Sequence, residues 1–214
     1  FCLQQRLPRA DKICLVSDVG ELSGLESRES ARDALGIAPD AFVILIYGSL
    51  SRRKGVEQLL RAVQDRADIA AHALVAGQPD AGIASLLSSS WCQELCEAGR
   101  LTVRAEFHDD ESEARIFSAA DVVWLGYVGG AYGSSGVLYQ AGSACLPVIS
   151  MAEGLVGWAV RKHKLGISLD AADGAAVQEA IQLLYQDEVM RQACGENGRR
   201  LADSHTGAVF AAAI

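Results

Sequence analysis

From residue 41 onward, the chain alternates short apolar runs rich in β-forming residues with segments of helical periodicity. The first run, residues 42–47, is almost continuously apolar, which is typical of a parallel strand covered on both faces. Gly48 ends this run, and the apolar residues of the next segment recur at helical spacing. They are Val56, Leu59, Leu60 and Val63. The alternation predicts an α/β fold, a doubly wound parallel sheet of Rossmann-like type with helices on both faces.

The same alternation continues along the chain. We expect further strands at residues 72–76, 101–107, 121–127, 147–151 and 166–170, with helices between them. A helical stripe of Val177, Ile181 and Leu184 follows, and then a more polar helix over residues 188–202. Residues 1–40 hold one short apolar run and a polar stretch with Gly and Ser. We therefore predict an entry segment or interdomain connection over residues 1–40 and a Rossmann-like domain over residues 41–214.

Size and charge restrict the classes of function. The 214 residues, 50% of them hydrophobic, can bury a sizeable core in one domain. A formal net charge of −8 argues against broad contact with nucleic acid or an anionic membrane, so any phosphate must be met by local donors. No apolar run reaches the roughly 20 residues of a membrane-spanning helix, so we expect no transmembrane segment. Because the chain begins with Phe1 rather than Met, we expect that it was cut from a longer protein.

The cysteines and histidines form no recognisable metal site. Six cysteines are scattered through apolar stretches, which favours a reduced, cytoplasmic protein over a small disulfide framework. Cys92 and Cys96 could face one way along a helix, but no second ligand pair follows at metal-site spacing, so no metal is expected. His72, His163 and His205 also lack ligand spacing and are interpreted as structural or solvated.

The first segment that could carry chemistry is the loop GSLSRRKG, residues 48–55, which follows the first strand. Loops at the carboxyl ends of strands bind ligands in open α/β sheets. Gly48 permits a sharp turn, and Lys54 can bring a cation to a diphosphate near a helix N-terminus. Arg52 or Arg53, taken singly, is interpreted as part of a solvated loop. The loop has neither the G-x-x-x-x-G-K-[ST] nor the G-x-G-x-x-G pattern, which disfavours a P-loop ATPase and leaves an NAD-dependent oxidoreductase only as a fold-level possibility.

The second such segment is YVGGAYGSSGVLYQAGSACLP, residues 127–147. Its glycines allow close backbone approach, and Ser134, Ser135 and neighbouring N–H groups can offer neutral donors to a phosphate at a helix start. The alternative is a flexible loop in which one of these serines caps the helix. A nucleophilic serine is disfavoured because the segment is no G-x-S-x-G elbow and no partnered His and acid are evident.

The order of GSLSRRKG, LVAG, ADVVWL, the glycine-serine loop and LPVI resembles the C-terminal half of the group 1 (family 4) glycosyltransferases of GT-B fold. The resemblance covers most of the chain from about residue 41. It implies a domain that binds a nucleotide-diphosphate sugar, while an N-terminal domain of the same protein holds most of the acceptor. It also implies a hexosyltransferase-like activity that retains configuration at the anomeric carbon, needs no cofactor, and is absent from the isolated domain.

By the same resemblance, Gly48 and Lys54 match the donor-phosphate loop. Ser49 stands where the family commonly has arginine, and Arg52 or Arg53 could compensate. His108 matches the stretch whose backbone meets the nucleobase, although an exposed loop histidine beside Asp109 and Asp110 is an equal alternative. The predicted donor-binding residues are Gly48, Ser49, Arg53, Lys54, His108, Tyr132, Gly133, Ser134, Ser135, Gly136, Val137 and Gln140.

One departure from the family pattern affects the prediction of activity. The family's Glu-x7-Glu pair falls on Tyr132 and Gln140, so both carboxylates are absent. The amide of Gln140 could still hydrogen-bond ribose hydroxyls, whereas Tyr132 cannot supply a carboxylate's charge. No catalytic residue is therefore assigned. The alternative function is a non-catalytic, glycosyltransferase-like binding or scaffolding domain.

Overall fold

A computed structural model of the protein describes residues 18–66, 68–129 and 133–212. Within these residues, six parallel strands form one sheet. The strands are β1 (Phe42–Tyr47), β2 (Ala71–Ala76), β3 (Leu101–Arg104), β4 (Val122–Leu125), β5 (Val148–Met151) and β6 (Gly166–Leu169).

Helices connect and flank these strands. They are α1 (Arg28–Leu35), α2 (Val56–Asp65), α3 (Ala81–Leu87), α4 (Ser90–Glu97), α5 (Asp110–Ala119), α6 (Gly136–Ser143), α7 (Gly154–His163), α8 (Gly174–Gln186), α9 (Glu188–Asp203) and α10 (Gly207–Ala212). A short 3-10 helix, Arg52–Lys54, precedes α2. The two helices predicted after residue 170 correspond to α8 and α9.

The strand order is β3-β2-β1-β4-β5-β6. The chain runs outward from β1 to β3 and then crosses back, so that β4 pairs with the free side of β1. This reversal beside β1 is the doubly wound arrangement that the sequence predicts.

The predicted strand at residues 101–107 is too long, because β3 ends at Arg104. Among the strands that the structure describes, β3 is an edge strand with β2 as its only neighbour. Arg104 pairs with Ala76, the last residue of β2, so the sheet offers no partner to the residues that follow. The strand predicted at residues 121–127 is shorter as well, since β4 covers Val122–Leu125.

The core lies on both faces of the sheet. Along β1, Ile44 and Ile46 point into one hydrophobic cluster, and Val43 and Leu45 point into the other, because successive strand residues face opposite sides. The first cluster includes buried residues of α2, α3, α4 and α8. The second includes those of α1, α5, α6 and α7. Burial on both faces explains the continuous apolar run of β1.

Three glycines bring α9 into backbone contact with α6 and with the residues just after it. A Cβ atom at Gly142 of α6 would lie 2.4 Å from the carbonyl oxygen of Gly198 on α9, and a Cβ atom at Gly195 would lie 2.0 Å from that of Cys145. Neither distance can accommodate a side chain. The first turn of α6 belongs to the predicted phosphate-binding segment, so the packing of α9 against α6 helps to hold that segment in place.

Among the described residues, no helix is long and apolar enough to cross a lipid bilayer. In the same part of the chain, no three His, Cys, Asp or Glu side chains are grouped so that they could hold a metal ion. On α4, Cys92 is buried, and Cys96, one helical turn later, is exposed.

A buried ion pair ties α1 to the sheet. The Arg32 side chain, 4% exposed, donates from Nη2 to Oδ2 of Asp121 at 2.6 Å. The same carboxylate oxygen accepts a 2.7 Å hydrogen bond from the backbone N–H of Val43 in β1. Arg28 also pairs with Asp121, at 3.1 Å, but its side chain is 56% exposed. Helix α1 lies in the segment predicted as a connection, and the proposed boundary at residue 40 stays a prediction.

We predict that Arg32→Met lowers the free energy of unfolding by about 3–5 kcal/mol, because it removes the main partner of a buried charge. Arg28→Met, which affects the same carboxylate from the solvent side, should cost about 0–1 kcal/mol. Urea unfolding followed by circular dichroism measures both values. Equal losses in the two variants would contradict the assignment of Arg32 as the principal partner.

Candidate functional site

The reversal of strand order opens a crevice between the carboxyl ends of β1 and β4. The loop with residues 48–55 leaves β1 there, and the segment that leads from β4 to α6 lies beside it. A Cβ atom at Gly48 would lie 3.0 Å from Nζ of Lys54 and 4.0 Å from Cγ2 of Val137. The fold therefore brings together Gly48, Lys54 and Val137, which belong to two different predicted segments.

The turn after β1 requires glycine. Gly48 has a φ of 97°, which other residues rarely adopt. A Cβ atom at Gly77, after β2, would lie 2.0 Å from the carbonyl oxygen of Gly48. Close to this contact, the backbone N–H of Leu50 donates to Gln78 O at 2.8 Å. The loops that follow β1 and β2 thus support each other, which fixes the path of the Lys54 loop.

Lys54 is a cation with reduced hydration. Its ammonium group donates to the backbone carbonyl of Tyr47, and its own carbonyl accepts a 2.9 Å hydrogen bond from Nε1 of Trp124. Burial, and then the nearby positive charge of Arg53, lower the pKa of Lys54 to about 8. Within the described ranges, Lys54 forms no ion pair. A negatively charged ligand would therefore relieve an unfavourable charge.

Arg53 is exposed but held against the neighbouring segment. Its guanidinium carbon lies 5.5 Å from the centroid of the Tyr127 ring, and its carbonyl accepts a 2.8 Å hydrogen bond from the N–H of Val128. The Tyr127 hydroxyl in turn lies 3.0 Å from Oγ of Ser135. Tyr127 thus links a cation of the first loop to the start of α6. Ser49 is exposed on the same loop.

The start of α6 has no side-chain cap. Ser135 occupies the N-cap position, but its hydroxyl faces Tyr127 instead of the helix backbone. The Ser134 hydroxyl donates to the carboxylate of Asp18. The capping role considered for these serines is therefore absent, and the N–H groups of Gly136 and Val137 have no side-chain acceptor among the described residues. Such groups favour a bound anion.

The remaining residues of the second segment have different surroundings. Gly133 is exposed, while Tyr132 lies outside the described residues. Gln140 donates from Nε2 to Oε1 of Glu113 on α5 at 2.6 Å. Its amide is thus already engaged at the position where a ribose contact was predicted. No sequence pattern indicated Glu113, because an acid near the start of a polar helix is normally solvated.

His108 lies near the end of β1. Its Nε2 is 3.1 Å from the carbonyl oxygen of Arg104, and its ring centroid is 6.1 Å from that of Tyr47. Phe107, next to it, is 87% exposed. His108 is therefore oriented by protein contacts, and Phe107 presents an unpacked aromatic ring beside it.

Two cavities border the segment between β4 and α6. One, of about 330 Å³, is lined by Ser134, Ser135 and mostly apolar side chains of α6, α7 and α9. The other, of about 670 Å³, is lined by Arg52, Arg53, Val128, Gly129 and residues of α2 and α3. Neither is lined by Lys54 or Gly48, which lie in the crevice itself. We base the site on the crevice because the cationic and N–H donors converge there.

Three comparisons relate the chain to known proteins. The family model described as "Glycosyl transferases group 1" matches residues 27–201. A D-inositol 3-phosphate glycosyltransferase of Corynebacterium urealyticum is 30% identical over 175 residues, which are 78% of this chain and 40% of that protein. The structure of sucrose-phosphate synthase from Thermosynechococcus elongatus has a TM-score of 0.77 and 25% identity, and the match covers 92% of this chain and 50% of that one.

A further solved structure, HepE of Anabaena in complex with UDP, has a TM-score of 0.75 and 17% identity, and its match covers 95% of this chain and 57% of that chain. At this identity the likeness concerns the fold. The chain spans about 40% of the length of the curated relatives that it matches.

The lowered pKa of Lys54 predicts a pH-dependent contribution to stability. Between about pH 8 and the higher pKa of an unfolded lysine, the unfolded chain binds more protons than the folded one, so stability rises with pH. The unfolding free energy of the wild type, relative to Lys54→Met, should therefore increase by about 1–2 kcal/mol from pH 7 to pH 9.5. Urea unfolding at both pH values measures this difference.

Lys164→Met is the control for this measurement, because Lys164 is exposed and precedes the edge strand β6, three places from β1 in the sheet. Its stability relative to the wild type should be the same at both pH values. A difference between wild type and Lys54→Met that does not change with pH would contradict the desolvated state of Lys54.

Proposed function

Because the chain belongs to the group 1 glycosyl transferases, we propose that it binds the diphosphate of a nucleotide-sugar donor in the crevice between β1 and β4. The observation that carries this proposal is the convergence of Lys54 Nζ, Gly48 and Val137. A diphosphate in the crevice would meet a partly buried ammonium group and the N–H groups at the start of α6.

The charges of the crevice suit a diphosphate. Among the described residues, the ammonium group of Lys54 has only a backbone carbonyl as its partner, and replacing that carbonyl with a phosphate oxygen would form a charge-assisted hydrogen bond. Arg53 is near enough to add a second cation, in place of the arginine that Ser49 replaces. These local donors allow an acidic chain to bind a phosphate without a broad basic surface.

We assign the nucleobase to the region of His108, beyond Tyr47. The exposed ring of Phe107 supports this assignment, since aromatic rings provide stacking surfaces for bases. HepE, which shares the fold, was solved with UDP. UDP is therefore the first nucleotide to test, with GDP and ADP beside it.

For the complete protein, we propose a hexosyltransferase-like enzyme that transfers the sugar with retention at the anomeric carbon. The relatives are longer than this chain, which supports an N-terminal domain that holds the acceptor and completes the active site. The free thiols of the described cysteines fit a cytoplasmic location.

A non-catalytic binding domain is the second candidate. It is favoured by Gln140, which stands where the family pattern has a carboxylate and whose amide is hydrogen-bonded to Glu113. Tyr132 is the other substituted position. A domain of this kind would bind the nucleotide without transferring a sugar.

We predict that Lys54→Met weakens the binding of the nucleoside diphosphate by about 1.5–3 kcal/mol, because it removes one charge-assisted hydrogen bond. Isothermal titration with UDP, GDP and ADP at pH 7 measures the affinities. Lys164→Met should bind like the wild type. Equal affinities for wild type and Lys54→Met, or no binding of any of the three nucleotides, would contradict the proposed site.

A second prediction separates the two candidate functions. This chain should bind a UDP-sugar but release no measurable UDP from it, because the acceptor and the groups of the other domain are missing. The complete protein should release UDP when an acceptor is supplied, as followed by a coupled UDP assay. A complete protein that binds the sugar nucleotide and remains inactive with a wide range of acceptors would favour the non-catalytic candidate.

A further inference from the structure

Three polar side chains from three different elements meet beside the crevice. Tyr47 is the last residue of β1, Glu113 lies on α5 and Gln140 lies on α6. The Gln140 amide donates to Glu113 Oε1 at 2.6 Å. The Glu113 carboxylate also lies beside the Tyr47 hydroxyl, and burial together with this carboxylate raises the pKa of Tyr47. The hydroxyl therefore stays protonated and can act as a donor to Glu113.

Glu113 is an anion held by neutral groups. Within the part of the chain that the structure describes, it forms no ion pair. Glu111, two residues earlier on the same helix, is 81% exposed and pairs with Arg115 at 3.0 Å. Glu113 is partly buried. Because neutral donors hold it, this carboxylate keeps acceptor capacity for the hydroxyl groups of a ligand.

The position of Glu113 matches the next group of the ligand. Tyr47 directly precedes Gly48, and Gln140 lies one helical turn after Gly136 and Val137, whose N–H groups have no side-chain acceptor among the described residues. In a nucleoside diphosphate, the ribose directly follows the phosphates. A carboxylate can accept hydrogen bonds from two hydroxyl groups at once, and ribose carries two neighbouring hydroxyls.

We propose that Glu113 binds the ribose hydroxyls of the nucleotide, with Tyr47 and Gln140 holding its carboxylate in position. Helix α5 then supplies the carboxylate that α6 lacks at Gln140. This inference rests on the proposed function, since it concerns the same ligand. In this arrangement, Gln140 is a positioning residue and Glu113 is the group that touches the ribose.

Titration with paired nucleotides tests this role. Wild-type protein should bind 2′-deoxy-UDP and 3′-deoxy-UDP about tenfold more weakly than UDP, because each analogue lacks one hydrogen bond to a charged acceptor. Glu113→Gln should bind UDP about tenfold more weakly than the wild type and should no longer distinguish UDP from its deoxy analogues. Inorganic pyrophosphate, which has no ribose, should bind both proteins equally.

Glu111→Gln is the matched control, since it removes a carboxylate from the same helix outside the cluster. It should bind all four ligands like the wild type. Glu113→Asp keeps the charge and withdraws the carboxylate by one methylene group, so it should show an intermediate loss of affinity for UDP. This variant tests the role of Glu113 even if Glu113→Gln fails to fold. Thermal melts of each variant verify that it is folded at the titration temperature.

The outcomes separate this inference from the proposed function. If wild-type protein binds none of the ligands, pyrophosphate included, the proposed function and the role of Glu113 fail together. If UDP binds and Lys54→Met weakens it, but Glu113→Gln and Glu113→Asp keep the wild-type preference for UDP over its deoxy analogues, the role of Glu113 alone is overturned. Wild-type protein that binds UDP, 2′-deoxy-UDP and 3′-deoxy-UDP with equal affinity would overturn the role of Glu113 as well.

Discussion

The pairing of β1 with β2 on one side and β4 on the other is the constraint on which the rest of the structure depends. Because β1 lies at the point where the strand order reverses, the chain segments that leave β1 and β4 diverge and leave a crevice between them. The same pairing requires both faces of β1 to be covered, which accounts for its two hydrophobic clusters. Asp121 secures the arrangement, since its carboxylate joins β1 to α1 immediately before β4.

The crevice shows how a protein with a negative net charge can offer a binding site for an anion. It uses one ammonium group with a lowered pKa, the uncapped start of a helix and an arginine held by an aromatic ring. In the part of the chain that the structure describes, neither the ammonium group nor the arginine has an anionic partner. Because the positive potential is confined to this small volume, the net charge of −8 elsewhere on the chain does not oppose it strongly at physiological ionic strength.

The sequence was sufficient for the fold because burial on both faces of a parallel sheet leaves continuous apolar runs, and each observed strand overlaps a predicted one. The end of β3 was not predictable, since it depends on where the neighbouring β2 stops. Within the candidate site, glycine and lysine patterns indicated Gly48 and Lys54, and topology brought Val137 to them. Glu113 escaped prediction because its link to Gln140 joins two helices through a tertiary contact that leaves no local pattern.

Because of the glycine contact between α6 and α9, the position of α6 beside the crevice depends on the last long helix, α9. Gly142 and Gly198 let the two backbones touch, so α6 packs directly against the backbone of α9. A shortened chain that ended before α9 would retain every residue proposed to meet the nucleotide. It would lose the surface against which α6 packs. The N–H donors at the start of α6 would then no longer be held in position by the fold.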